Sequence, residues 1–200
     1  MCPVLLFWEV AETRRNAPTM RKSMFTTGAI LLALALAGTL LAQRVQQLNK
    51  SRPSPDDIVT ATVGGKNVTV EYSRPSKKGR EIFGALVPFE KIWRTGANEI
   101  TVLTVEGDFM VGNVHVPKGS YGVYTIPAQT GWTLVLSKTA KGWGTQYNEA
   151  QDLGRTPMKV VKMASPVEQL TISIEPVGSN KGVLKIAWDS TEATVDLMAH

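Results

Sequence analysis

Cysteine and histidine are scarce in this chain of 200 residues, which has one cysteine and two histidines. Because Cys2 has no second cysteine to pair with, no disulfide framework exists within the chain and the core alone must stabilise the fold. A zinc site normally takes three or four His, Cys or carboxylate ligands. His115 and His200 therefore predict no metal site, and we interpret His115 as an ordinary strand residue.

Motifs for phosphate binding and for serine nucleophiles are also missing. The chain has no GxGxxG run, no P-loop and no Gly-x-Ser-x-Gly elbow, so we expect no nucleotide cofactor and no serine hydrolase site. The net charge is +5, from 22 basic and 17 acidic residues. This mild excess forms no basic block and does not indicate a nucleic-acid partner. We expect no cofactor of any kind.

The apolar run near the N-terminus has the features of a targeting sequence. Residues 28–42 are rich in Leu and Ala, follow the positive pair Arg21 and Lys22, and end on the small residue Ala42. This order is typical of a secretory signal peptide. We expect a periplasmic or secreted protein whose signal peptide covers residues 20–42.

Two further expectations concern the same terminus. Residues 1–19 show no periodic pattern and are interpreted as an over-extended start, with Met20 or Met24 as the initiator. The alternative to cleavage is an inner-membrane anchor over residues 25–42, although a spanning helix needs roughly 20 apolar residues. Such an anchor would be the protein's only contact with the membrane. Residues 43–57 are polar, contain two prolines and predict a linker.

From Ile58 onward the pattern alternates with a period of two, which predicts β-strands. Two β-branched runs, at residues 58–63 and 66–72, flank Gly64 and Gly65 and predict a hairpin. Further strands are predicted at residues 100–105, 109–111, 114–116, 121–126 and 132–137. Late strands are predicted at residues 158–163 or 170–175, at 182–188 and at 191–197, the last two forming a hairpin across Asp189 and Ser190.

No βαβ alternation is present, which argues against a parallel sheet. We therefore predict an all-β domain over residues 58–200, a single antiparallel β-sandwich with one long loop rich in Gly and Pro. A jelly-roll-like or barrel-like arrangement is the alternative.

The long loop between Tyr72 and Glu99 is the predicted site, since long connections in compact domains are often functional. Trp93 offers a flat apolar surface and Arg94 a planar fork of donors suited to carboxylates. The functional interpretation is a ligand cleft built by six residues: Tyr72, Arg74, Trp93, Arg94, Asn98 and Glu99. The structural interpretation is a buried ion pair from Arg94 to Glu99 or Glu71 that fixes the loop under Trp93.

Carboxylates near this loop leave a catalytic alternative open. Glycoside hydrolysis uses two carboxyl groups roughly 5 to 10 Å apart, and four glutamates lie in or beside the loop: Glu71, Glu81, Glu90 and Glu99. The competing interpretation pairs each of them with a nearby cation among Arg74, Arg80, Lys91 and Arg94.

Four motifs stand out in the chain: Tyr72 to Ser76, Ile82-Phe83-Gly84, Trp93 to Glu99 and Pro117 to Tyr121. Together they resemble a bacterial family, the domain of unknown function 2911. The resemblance implies a secreted or envelope-associated β-rich domain and no particular activity. We expect a non-catalytic binding module for an unknown ligand or envelope component. A hydrolase of glycans or envelope polymers and a protein-interaction domain that pairs through a sheet edge are the alternatives.

Overall fold

Nine antiparallel strands make up almost all of the regular structure in residues 52–200, the part of the chain that the computed structural model describes. A short 3-10 turn at Glu149–Gln151 precedes the eighth strand. The strands are β1 (Asp56–Val63), β2 (Lys66–Ser73), β3 (Thr101–Val105), β4 (Phe109–Val111), β5 (Val114–Val116), β6 (Gly119–Pro127), β7 (Trp132–Ser137), β8 (Asp152–Val177) and β9 (Lys181–Ala199).

The strands form one nine-stranded sheet in the order β1-β2-β3-β6-β7-β8-β9-β4-β5. The predicted all-β, antiparallel fold is confirmed. The finer expectation of a sandwich, jelly roll or barrel is not confirmed, because the sheet is continuous and is not closed. Strand β8 has 26 residues: its first part pairs with β7, and its part from Lys159 onward pairs with β9.

The two halves of this sheet share one hydrophobic core. Val70 and Leu103, in the half that begins with β1, belong to the same buried cluster as Leu170 and Ile186 in the other half. All four side chains are at most 1% exposed. The sheet therefore bends until β2 faces the second half of β8, although these strands are not neighbours in the pairing order.

The first hairpin forms as its sequence predicts. Val63 pairs with Lys66 across Gly64 and Gly65, whose φ values of +59° and +73° lie in the left-handed region that glycine tolerates. Along β2, the exposed fractions of Val68, Val70 and Tyr72 are 0%, 1% and 4%. One face of the strand is buried, as the alternation predicted.

The prediction of a hairpin across Asp189 and Ser190 is wrong. Strand β9 continues through both residues, and Asp189 has a φ of +53° within it. The partner strand β8 shows register shifts on both sides of Val167, which pairs with Asp189. The two strands are therefore irregular at the same level. The segments 158–163 and 170–175, predicted as alternatives, are both parts of β8.

The expectations for the N-terminus lie mostly outside the described residues. These are the over-extended start, the signal peptide or anchor, and the linker up to residue 51. Residues 52–55 lie against the domain, since Arg52 pairs with Glu99 and the carbonyl of Pro55 accepts from the amide of Arg74. Within residues 52–200, no helix has the length and apolar character to cross a membrane.

The two glycines of the first hairpin provide a matched test of the packing at this end of the sheet. A Cβ at Gly64 would lie 2.5 Å from the Cβ of Ala199, whereas a Cβ at Gly65 would have nothing within 4 Å. We predict that Gly65→Ala costs about 1 kcal/mol for the left-handed backbone. Gly64→Ala should cost about 1–3 kcal/mol more because it also overpacks. Urea unfolding of both variants measures the difference, and equal costs would contradict this packing.

Candidate functional site

The loop between β2 and β3 is tied to the sheet by its backbone. Trp93 and Thr125 exchange two backbone hydrogen bonds, with N···O distances of 2.7 and 2.9 Å. The amide of Glu90 donates to the carbonyl of Pro127, and the amide of Lys77 donates to that of Glu168. Of the five non-glycine residues with positive φ in the described chain, four lie in this loop. They are Lys78, Glu90, Thr95 and Asn98.

Trp93 sits in a cluster of aromatic rings. Its ring stacks on Trp188 with a centroid distance of 5.9 Å and an interplanar angle of 17°. Trp132 meets it edge-on at 6.1 Å and Phe83 at 5.9 Å. Because Trp132 and Trp188 are buried and Trp93 is only partly buried, one face of the cluster remains accessible. This face is the floor of a cleft.

The cleft has a volume of about 540 Å³, within the range of small-molecule sites. Tyr124 and Tyr147 belong to its aromatic wall and meet edge-on at 4.9 Å. Leu86 and Ile92 are exposed apolar side chains on its lining. Three cations complete the lining, which includes no Asp, Glu, His or Cys. They are Lys78, Arg80 and Arg94.

Arg94 is positioned by a second loop, the one that precedes β8. A Cβ at Gly144 would lie 2.6 Å from Cδ of Arg94 and 3.2 Å from the carbonyl oxygen of Asn98. The absence of a side chain there lets the two loops approach, and the amide of Gly144 donates to the carbonyl of Asn98 at 3.2 Å. The Arg94 Nε donates to the carbonyl of Gly96 at 3.3 Å, which directs the guanidinium.

A polar network holds Tyr147 in the cleft wall. Its hydroxyl donates to the carboxylate of Asp152 at 2.8 Å and accepts from Nη2 of Arg155 at 3.0 Å. Burial, followed by the hydrogen bond to Asp152, raises the pKa of Tyr147 to about 12. The phenol is therefore neutral over the whole physiological range.

The family described as protein of unknown function (DUF2911) matches residues 54–197. The chain belongs to this family. The match confirms the resemblance carried by the long loop and runs from before β1 to residue 197 in β9 of the DUF2911 domain. It assigns no activity. No curated protein and no solved structure matches the chain.

The six predicted site residues of the DUF2911 domain do not share one cleft. Trp93 and Arg94 line the cleft described above. Tyr72 and Glu99 line a separate groove of about 500 Å³ beside β1 and β2. Arg74 and Asn98 line neither of them.

In the DUF2911 domain Arg74, and not Arg94, makes the structural ion pair. The predicted ion pair from Arg94 to Glu99 or Glu71 is not formed. Arg74 is the structural residue instead: it pairs with Asp57 at 3.2 Å and donates to the carbonyl of Leu170 at 3.0 Å. Its Nη2 also donates to Oγ1 of Thr171 at 2.9 Å. Arg74 thus links β1 and β2 to β8.

Tyr72, Asn98 and Glu99 also make structural contacts. The amide of Ile172 donates to the Tyr72 hydroxyl at 2.9 Å, a second link from β2 to β8. Asn98, with a φ of +58°, donates to the carbonyl of Ser54 and to the hydroxyl of Ser73. Glu99 pairs with Arg52 at 3.0 Å.

The predicted carboxylate pair for hydrolysis gains little support from this arrangement. None of the four glutamates lines the aromatic cleft, and only Glu71 and Glu99 line the second groove. The pKa of Glu99 is lowered, first by a hydrogen bond from its own backbone amide and then by Arg52. A general acid needs a raised pKa. Within residues 52–200, no three His, Cys, Asp or Glu side chains form a group that could hold a metal ion.

Sequence reasoning did not identify Lys78, Arg80, Tyr124 and Tyr147 as part of the cleft. The sequence gives one signal for Arg80, because it is a cation within the long loop that contains Trp93 and Arg94. Tyr147 carried none, because it reaches the cleft from a loop that begins more than 40 residues after Trp93. Only the sheet brings the two loops together.

The two arginines provide a test of this division of roles. We predict that Arg74→Ala costs about 1–3 kcal/mol, because it removes two partly buried hydrogen bonds, to the carbonyl of Leu170 and to Oγ1 of Thr171. Arg94→Ala should stay within about 0.5 kcal/mol, as for other substitutions that break no buried network. Urea unfolding of the two variants provides the comparison. A larger loss for Arg94→Ala would show that Arg94 fixes the loop.

The Tyr147 network predicts a stability change at high pH. The folded pKa of about 12 exceeds the ordinary tyrosine value of about 10, so the folded state favours the protonated phenol. The resulting stabilisation is complete below pH of about 10 and is lost as the pH rises through the folded value. The difference in phenolate absorbance between the wild type and Tyr147→Phe reports Tyr147 alone. Its midpoint should therefore lie at a higher pH than that of free tyrosine. A midpoint at the ordinary value would contradict the network.

Proposed function

We propose that this protein is an exported, non-catalytic binding module that holds a small ligand in the cleft floored by Trp93. The observation that carries the proposal is the cleft itself: an aromatic floor on a loop whose backbone is tied to the sheet at several points. A preformed apolar cavity with a few directed polar groups is the usual form of a ligand site.

The chemistry of the lining supports binding over catalysis. Its aliphatic hydroxyl groups belong to Ser54, Ser76 and Thr145, and the lining contains no histidine or carboxylate to act as their general base. Arg94 supplies donors without a proton to exchange, because a guanidinium stays protonated. The groups that face the ligand can orient it and neutralise its charge.

Export and envelope association are supported by the N-terminal sequence and by the family resemblance. The positive pair Arg21 and Lys22, followed by the apolar run of residues 28–42, supports a signal peptide. An exported binding module would meet an envelope component or a solute of the periplasm as its ligand.

The protein-interaction alternative has weaker support at both edges of the sheet. The edge strand β5 has three residues, and the edge strand β1 begins with Asp56 and Asp57. Short and charged edge strands discourage pairing with another chain. Ile58, which is 65% exposed on β1, is a single apolar side chain and forms no patch of its own.

Two glycines provide a matched test of the cleft as the ligand site. Gly144→Leu would fill the space taken by the Arg94 side chain, whereas Gly131→Leu enters open space, with its nearest neighbour 4.0 Å away. We predict that a fragment screen by ligand-observed NMR finds binders of the full-length protein that Gly144→Leu loses and Gly131→Leu keeps. Circular dichroism should first show that both variants are folded.

Fragments that bind all three proteins equally would contradict the proposal. Binders that occupy only the groove beside β1 and β2 would also contradict the proposal. The subtler variant Gly144→Ala should weaken the same binders without abolishing them, since it displaces Arg94 and leaves most of the cleft open.

A further inference from the structure

We infer that the ligand of this cleft is an organic anion, a single carboxylate-type charge on a flat apolar body, with the charge bound by Arg94 and the body packed against Trp93. The inference rests on the proposed function and names the class of ligand.

The first argument is the pairing of the arginines. Residues 52–200 contain five arginines, of which Arg52, Arg74 and Arg155 each lie within 3.2 Å of a carboxylate oxygen. The two arginines of the cleft pair with no carboxylate in this part of the chain, and neither does Lys78. Cations gathered in one cleft without anionic partners repel one another unless an anion joins them.

The excess of positive charge is local. Residues 52–200 carry 16 Lys and Arg and 15 Asp and Glu, so their overall charge is close to balanced. The cleft nevertheless has three cations and no carboxylate in its lining. The lining of the cleft therefore has an excess of positive charge, and partly enclosed walls strengthen the field of such charges.

The second argument is the number of free donors. The Nε of Arg94 is engaged with the carbonyl of Gly96, which leaves its two terminal nitrogens for a ligand. Arg80 uses Nε and Nη2 on the carbonyls of Lys77 and Ser76, which leaves Nη1. A fork of two nitrogens fits one carboxylate in the bidentate geometry that arginine favours.

The third argument is the apolar share of the lining. Leu86 and Ile92 are 46% and 38% exposed, and they line the same cleft as Trp93. A small inorganic anion would leave these surfaces in water. A ligand with a flat hydrocarbon body would cover them and stack on the indole. The neutral phenol of Tyr147, held by Asp152, adds no charge to repel an incoming anion.

A series of naphthalene probes tests the inference on the full-length protein. The probes are naphthoate, its neutral isostere naphthamide, the cation naphthylmethylammonium, and inorganic phosphate. Binding is followed by the indole N–H resonance of Trp93, which is assigned from the spectrum of Trp93→Phe. We expect naphthoate to bind at least about tenfold more tightly than naphthamide, the size of one charge-assisted hydrogen bond. The cation and inorganic phosphate should bind weakly or not at all.

Variants decide whether Arg94 causes this preference. Arg94→Gln should remove it, lowering the affinity for naphthoate about tenfold and leaving that for naphthamide unchanged. Arg94→Lys should retain part of it, because it keeps the charge and loses the fork. Lys159→Gln, an exposed charge change on β8 away from the cleft, is the control and should behave as the wild type. Added salt should weaken naphthoate alone.

The outcomes separate the inference from the proposed function. If naphthamide binds as tightly as naphthoate and Arg94→Gln changes neither affinity, the anion inference is wrong and the cleft remains a ligand site. If inorganic phosphate binds as tightly as naphthoate, the inference that the ligand has an apolar body is wrong. If no probe moves the Trp93 resonance, both the inference and the proposed cleft fail.

Discussion

The backbone pairing of Trp93 with Thr125 is the contact on which the candidate site depends. It makes a short piece of the long loop behave as an added strand beside β6, with N···O distances of 2.7 and 2.9 Å. The fully buried Thr95 reinforces it: its hydroxyl donates to Oγ1 of Thr125 at 3.1 Å, and its carbonyl accepts from Thr101 at 3.0 Å. With the backbone fixed there, the Trp93 ring must enter the aromatic cluster, and Arg94 is fixed on the cleft side of the loop.

Residues that bond to the rest of the domain and residues that line the cleft occupy different parts of this one loop. Its first part, at Tyr72 and Arg74, bonds to Ile172 and Leu170 of β8 and holds the two halves of the sheet together. Its last part, at Asn98 and Glu99, bonds to residues 52–54. Only the middle part faces the cleft. Fixing both ends of a long loop reduces the entropy that a ligand would otherwise have to overcome on ordering it.

How far sequence predicts this fold depends on whether the signal is local. The hairpin at Gly64 and Gly65 is encoded by adjacent residues, so alternation and turn chemistry were sufficient. Asp189 and Ser190 have the same turn-like composition, yet β9 runs through them. The reason is non-local: the matching register shift lies around Val167 on β8, and two strands that become irregular together can remain paired. For the same reason the sequence predicted strands but not a single, continuous sheet.

The same limit applies to the site. Trp93 and Arg94 were predicted from their side chains alone, because a tryptophan provides a flat apolar surface and an arginine a fork of donors wherever they lie. Their partners were not predicted, because an arginine can satisfy its donors in several ways that composition does not distinguish. Arg74 and Arg94 are 20 positions apart in one loop. The role of each depends on the groups that the folded sheet places next to it. Arg74 faces Asp57 and the carbonyls of β8, whereas Arg94 faces open space.

Gly144 explains why that space stays open. Any larger residue would press on Arg94 and on the carbonyl of Asn98, so the close approach of the two loops requires a glycine at this position. The loop before β8 contributes Tyr147 to the cleft wall through the same approach. The loop that carries Trp93 and Arg94 and the loop that carries Tyr147 thus meet at one contact. The lining of the cleft contains no acidic residue, so the charge of Arg94 is not neutralised from within the cleft.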